Sequence, residues 1–496
     1  MRPRTQPLPG ARTLRASCRQ RPALRDGALA LAASVLAGPA AAHSFGPVYT
    51  LPLPFWMYAW GAGATLLLSF VLAAWWLRAP RPQAAPWRRT LRRPWHRPRC
   101  GPGRALALGL LLLTLASALW GSPRAPTNLG MTLFWVLFLV GGLYAAALLG
   151  DGYRSLNPWA TLAELLARLL PRRRRPPLRM GRRWRHLPAV ALLLGLVWLE
   201  LFGRAQPLEL AWLLGLYTVL MLGGAALFGR ARWFRHGDLF ALLYRLLGSL
   251  APLHWRGRQL TLRPPLLGAE QLRVRDTGLV LLLLTWLATT AFDGLHQSAL
   301  WHRWFFVDLY GWGLRDWAGS NPLAAYPRMR AAFGWWNSAW LLLLPLLYLA
   351  VYALTMRLTR VAAGSGPPAR QLGWHFAPSL LPIVLAYHAA HYYTLLPVQG
   401  VKALTLISDP FARGWDLFGT AGWWQRTVIP EVETVWRAQL LLIVGGHVAG
   451  VWLAHRAALR IWPQPAVAAR SQGPLLLLMI GLTVGGLWLL SLPPVR

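Results

Sequence analysis

The sequence predicts an all-α fold: a polytopic integral membrane helical bundle of about ten transmembrane helices, with a cleavable N-terminal signal peptide. Three observations lead there. Hydrophobic residues make up 55% of the 496 positions and charged residues only 14%, a balance outside that of soluble domains. Apolar windows of about 20 residues, the length that crosses a hydrocarbon core, recur along the chain. Arginine is concentrated between those windows, in alternate loops, as topology rules require.

Residues 1–26 carry seven arginines, and Gly27 to Gly38 form a short apolar run followed by Ala40-Ala41-Ala42. A basic start, an apolar run too short to span and small residues at a cleavage position make 1–42 a signal peptide. Cleavage after Ala42 exposes His43, whose amine and imidazole can together chelate one metal ion. On the alternative reading His43 is simply the first mature residue. Residues 43–496 then form a single polytopic membrane domain. Its spans fall near 55–77, 105–120, 131–149, 187–202, 210–228, 277–292, 335–356, 377–397, 435–455 and 474–492.

Orientation follows from arginine. Loop 78–104 carries nine, 150–186 ten and 229–275 nine, whereas 121–130 and 203–208 hold only Arg124 and Arg204. The basic loops are therefore expected in the cytoplasm, and both mature termini on the outer side of the membrane. The net charge of +37 would suggest nucleic acid in a soluble chain. Distributed in this way it implies contact with the lipid bilayer and no nucleic acid. Two cysteines, Cys18 and Cys100, are too few for a disulfide framework or a cysteine-rich metal site. Thirty tryptophans suit a chain with many membrane interfaces. Two basic loops contain related segments, LAELLARLL at 162–170 and LFALLYRLL at 239–247. They read as duplicated amphipathic helices lying on the membrane surface, their arginines snorkelling to headgroups. The outer loops 293–334 and 398–434 hold seven of the fifteen acidic residues and read as aromatic, irregular segments.

The chemistry concentrates in Phe376 to Gly400, FAPSLLPIVLAYHAAHYYTLLPVQG, an apolar stretch with His388 and His391 near its middle. Residues three apart lie about 60° apart around a helix, so both imidazoles can enter one space. Ionisable groups within a span face a bundle interior or wet cavity. His447, in LLLIVGGHVAGVWLAHR, is placed at an overlapping depth by the helical rise of about 1.5 Å per residue. Three imidazoles with an open position make a site for a divalent metal such as Zn, Cu or Fe, with haem equally allowed. The alternative is three neutral histidines hydrogen-bonded to neighbouring helices. Tyr392, one turn from His388, could hydrogen-bond a ligand or a bound oxygen. Asp293 and His296 form a second cluster, a candidate general base at the outer mouth, or else an interfacial ion pair. Glu200 reads as an interfacial acid and His455 as a headgroup contact. No phosphate-cradling glycine loop, GxSxG elbow or HExxH is present, so ATP-driven transport, serine hydrolysis and zincin proteolysis lack support.

Four segments, HSFGPVYTLPLPFWMYAWGA, LAYHAAHYYTLL, SDPFARGWDLFGTAGW and VWRAQLLLIVGGHVAGVWLAHRAAL, carry a resemblance. In them the chain resembles a family of bacterial polytopic membrane proteins, many of which carry the label fenitrothion hydrolase. The resemblance implies hydrolysis of organophosphate-like esters, a small-molecule substrate, and brings no ligand set. The expectation is a metal-dependent hydrolase with His388, His391 and His447 as ligands. The alternative is a non-enzymatic membrane protein that handles copper or haem, or transports a small solute.

Overall fold

The structure is a computed structural model, and it describes residues 54–76, 89–90, 101–169, 176–182, 185–203, 206–256, 259–423 and 430–493. The expected signal peptide over 1–42 and His43 lie outside the described residues, as does most of loop 78–104.

The principal helices in chain order are α1 (Phe55–Trp76), α2 (Gly101–Trp120), α3 (Leu129–Leu149), α4 (Pro158–Leu169), α5 (Leu187–Phe202), α6 (Pro207–Phe228), α7 (Leu239–Gly248), α8 (Thr277–His296), α9 (Pro322–Ala363), α10 (Leu380–Tyr392), α11 (Val432–Ile461) and α12 (Gly473–Ser491). Among the described residues eight helices are long and apolar enough to cross a membrane: α1, α2, α3, α6, α8, α9, α11 and α12. They make the chain an all-α, multi-pass membrane protein. Their outward faces carry large apolar side chains, such as Leu342, Leu343, Leu346, Leu347 and Val351 on α9. In water that stripe would be a liability; against lipid it is the ordinary surface. By contrast α8 is buried along most of its length, 78% of its apolar window, and forms the centre of the bundle.

Local chemistry sets the helix starts. Asp276 caps α8 by accepting from the Leu279 amide at 3.0 Å, and Asp238 caps α7 through the Ala241 amide at 3.1 Å. Proline stands in the first turn of α5, α6 and α9, where no amide donor is needed.

Two of the ten expected spans are not among these eight helices. Span 187–202 is α5, 16 residues or about 24 Å long. Span 377–397 is broken into a 3-10 turn (Ala377–Ser379), the 13-residue α10 and a separate π-turn (Leu396–Gly400). Prolines 378 and 397 explain the break, because neither can donate to the preceding turn and each disfavours helix just before it. Loop 293–334 was expected to be irregular but is mostly helical: Ala299–Arg303, Trp304–Leu314, Arg315–Ala318 and the start of α9. Asn321 caps α9 through the Leu323 amide, so this helix begins 13 residues before the expected boundary at 335 and runs 42 residues.

The two amphipathic segments are α4 and α7, but their surroundings differ. α4 keeps Leu165, Leu166 and Leu169 exposed. α7 does not lie on a surface: Leu239, Phe240, Leu242, Leu243, Leu246 and Leu247 are all buried. Arg245 donates to the backbone carbonyl of Arg235 at 2.9 Å. An apolar stripe fits a protein neighbour as well as a lipid one, and here α3 supplies it, with the Tyr244 hydroxyl donating at 2.7 Å to the Phe138 carbonyl in a π-helical stretch. The caps of α4 and α7 meet directly, Asn157 Nδ2 donating to Asp238 Oδ2 at 2.7 Å.

A small antiparallel sheet joins Arg89–Thr90 to the hairpin Leu253–Arg256 and Gln259–Leu262. That pairing puts loops 78–104 and 229–275 on one side of the bundle. Arg104 bonds Glu164 at 2.9 Å and brings loop 150–186 to the same side. The three arginine-rich loops therefore share a face, and α5 and α8 start from it and run away from it. α10 starts near the same face, since Trp374 just before it reaches Thr277 at the start of α8.

Candidate functional site

At the far ends of α5, α8 and α10 a polar cluster is buried in otherwise apolar surroundings. Asp293, one turn before the end of α8, is 1% exposed and stands at its centre. Nε2 of His391 lies 2.5 Å from Asp293 Oδ2. Gln297 Nε2 donates to Asp293 Oδ1 at 2.9 Å. The Tyr392 hydroxyl donates to Glu200 Oε1 at 2.9 Å and stands 3.3 Å from Asp293 Oδ2. One hydroxyl proton thus faces two carboxylates from different helices. His296 contributes more weakly: its Nδ1 bonds the Asp293 backbone carbonyl at 2.8 Å and is 3.8 Å from the carboxylate.

The sequence named Asp293, His296, His391 and Tyr392 but paired them differently. Asp293 keeps the pairing with His296 at 3.8 Å, but its closer partner is His391, 98 residues on. Glu200 is no isolated interfacial acid, because Tyr392 holds it. His455 is not a headgroup contact either: it is 1% exposed and its Nδ1 bonds Gln472 Nε2 at 2.9 Å. Gln297 was missed. The available signal was positional, since Glu200 and Asp293 lie equally near the ends of spans running in the same direction.

The three-histidine site is not assembled, and among the described residues no three of His, Cys, Asp and Glu group in a way that could hold a metal ion. The cause is the azimuth of α10. α11 approaches through Gly446 and Gly450, which admit the α10 backbone: a Cβ on Gly446 would overlap that of Ala386, and one on Gly450 would stand 2.9 Å from the Ser379 carbonyl. This is the small-xxx-small contact of membrane helices. The α10 face turned to α11 thus runs through Ser379, Pro382, Ile383 and Ala386. His388, two residues beyond Ala386, is rotated by about 200° from it. His388 instead packs among Tyr144, Trp286 and Tyr392, ring centroids 5.8, 5.7 and 4.9 Å away. His447 packs on Tyr387 at 5.8 Å and bonds the Ile443 carbonyl through Nδ1 at 2.9 Å. Nε2 of His388 and Nε2 of His447 are both buried without a hydrogen-bond partner. Each is a donor or acceptor in waiting, on opposite sides of α10, so the residues do not fit one shared metal.

The near ends of α5 and α8 carry a second polar group that sequence reading did not find. Asp276 takes His186 Nδ1 at 2.7 Å and Arg185 Nη2 at 2.8 Å, and His236 Nδ1 meets His186 Nε2 at 3.1 Å. Burial raises the Asp276 carboxyl, but the His186 and Arg185 bonds outweigh it and hold the group below its ordinary range. His236 is pushed down to about 4, chiefly by burial and then by the neighbouring His186.

Comparison with protein-family models, with characterised proteins and with solved structures finds no match. The chemistry is therefore argued from the cluster alone. A carboxylate bonded to imidazole, joined through a phenol to a second carboxylate, is a set of groups able to accept, hold and pass a proton.

Proposed function

We propose that this protein handles protons within the membrane, through the Glu200–Tyr392–Asp293–His391 cluster, and couples them to movement of a small solute. The observation that carries this reading is the Tyr392 hydroxyl set between two carboxylates, Asp293 buried and Glu200 half-buried. Two acids in a low-dielectric interior require a compensating proton or cation. His391 is the base in contact, and the phenol offers a path between the acids. Arginine asymmetry supports an orientation in a bacterial inner membrane with the cluster toward the periplasm and the basic loops in the cytoplasm.

The test is proton flux into proteoliposomes that hold a trapped pH-sensitive dye, under an imposed pH gradient. Asp293→Asn and Tyr392→Phe are expected to reduce the flux at least tenfold while the protein remains folded. Flux equal to the parent protein in both variants sinks the proposal.

A second reading is supported by the 2.5 Å contact of His391 with Asp293. A carboxylate that orients imidazole makes a general base, which would activate water for attack on an organophosphate-like ester, the activity implied by the fenitrothion hydrolase resemblance. Release of nitrophenol from a nitrophenyl phosphotriester, lost in His391→Gln, would favour it over proton transfer alone.

A further inference from the structure

A groove of about 660 Å³ lies beside the end of α8, walled by Trp301, Trp304, Trp312, Trp336 and Trp340 and otherwise by Phe and Leu, with Asp308 as its one charged side chain. The volume is that of a site for a drug-sized molecule. The wall is built rather than incidental. Trp301 is 2% exposed, its indole N–H is locked onto Asn337 Oδ1 at 2.7 Å, and its ring meets those of Trp304, Trp336 and Trp340 at 6.0, 5.5 and 5.8 Å. Trp301, Trp304, Trp336 and Trp340 pack on one another beside the groove, while Trp312 is exposed. The buried Nε1 of Trp336 meets no acceptor.

We propose that this groove binds a lipophilic organic cation drawn from the membrane. Charge complementarity selects that occupant. Indole faces attract a cation that comes within about 6 Å, and a carboxylate at the same site adds a full charge of the same preference. Arg303 and Arg315 flank the segment in sequence, yet the Asp308 carboxylate forms no ion pair or hydrogen bond among the described residues. In a chain of net charge +37 an acid left unpaired within an aromatic wall is set against the general field. The apolar remainder of the lining would hold the body of the ligand while the charge sits near Asp308. The inference does not depend on whether the Asp293 cluster moves protons, since binding to the groove needs none of those groups.

Two ions of the same shape and opposite charge test it: tetraphenylphosphonium and tetraphenylborate, titrated onto the full-length protein in phosphatidylglycerol nanodiscs and read by tryptophan fluorescence. The expected result is saturable binding of the cation, at least tenfold tighter than that of the anion. Asp308→Asn, an exposed position, is expected to erase that difference, and Trp304→Leu to weaken the cation at least threefold. Equal binding of the two ions, or full discrimination in Asp308→Asn, overturns the proposal and leaves a lipid-facing aromatic surface. Repeating the titration in phosphatidylcholine nanodiscs distinguishes the source of the cation. A cation preference that persists there and still requires Asp308 supports a free lipophilic cation, its overall affinity falling with the loss of the anionic surface; loss of that preference assigns the groove to a choline headgroup and overturns it.

Discussion

Replacing Asp293 by alanine removes the centre of the buried cluster, and the structure sets the size of the effect. Two donors bond the carboxylate, His391 Nε2 at 2.5 Å and Gln297 Nε2 at 2.9 Å, and the Tyr392 hydroxyl, whose proton goes to Glu200, stands 3.3 Å away. A hydrogen bond to a charged group contributes about 1.5–3 kcal/mol, so the gross loss is several kcal/mol. Removal of the carboxylate also removes its own desolvation penalty, and measured deletions of one member of a buried charged pair settle at about 3–5 kcal/mol. Asp293→Ala should fall in that range. Asp293→Asn keeps the shape and one acceptor oxygen, so it should lose only about one charged bond, or 1.5–3 kcal/mol. Reversible unfolding in mixed micelles of increasing dodecyl sulfate, followed by circular dichroism, measures both. An Asp293→Ala protein within about 0.5 kcal/mol of the parent, the range of an ordinary surface substitution, would refute the central role given to this residue.

Three further outcomes are expected. Gly446→Leu forces α11 off α10 and should destabilise by about 1–3 kcal/mol or more, as overpacking does, with the same micelle assay reporting it. His236 has a pKa near 4 in the folded protein against 6.5 in the unfolded chain. Acidification from about 6.5 to about 4 therefore favours the unfolded state, so melting temperature should decline across that window and level off below it, and His236→Gln should flatten the decline. A reporter fused in 78–104 should be cytoplasmic and one in 398–434 periplasmic; the opposite placement of either would reverse the orientation proposed for the cluster.

The fold was largely legible because apolar length is a one-dimensional property: most windows near 20 residues became helices, even across Pro345 in α9. The exception is the expected span 377–397, which divides near Pro378 and Pro397. The site was legible only in part. Composition identified His391, Tyr392 and Asp293 as ionisable or polar groups out of place in apolar helices, which is a local fact. Their pairing depends on which azimuth of α10 faces α8 and which faces α11, and a sequence of alternating apolar residues leaves that rotation open. The Gly446-x-x-x-Gly450 pattern carried the missing information, since it marks the α11 face that must lie closest to a neighbour. Had that face been turned toward α10 from the start, His447 would have been set apart from His388. The burial of α7 was hidden for a different reason: an amphipathic stripe has the same spacing whether it meets lipid or protein.

The close seating of α11 on α10 has a mechanical consequence. α10 is only 13 residues long, with a 3-10 turn before it and a π-turn after it, so it resembles a key held in place by the flat cut into α11. A side chain added at Gly446 or Gly450 would act as a shim beneath that key. Its thickness would carry through to the key's tip, where His391 reaches Asp293, so a graded series of residues at Gly446 gives a ruler for setting that separation without altering any group that touches the proton.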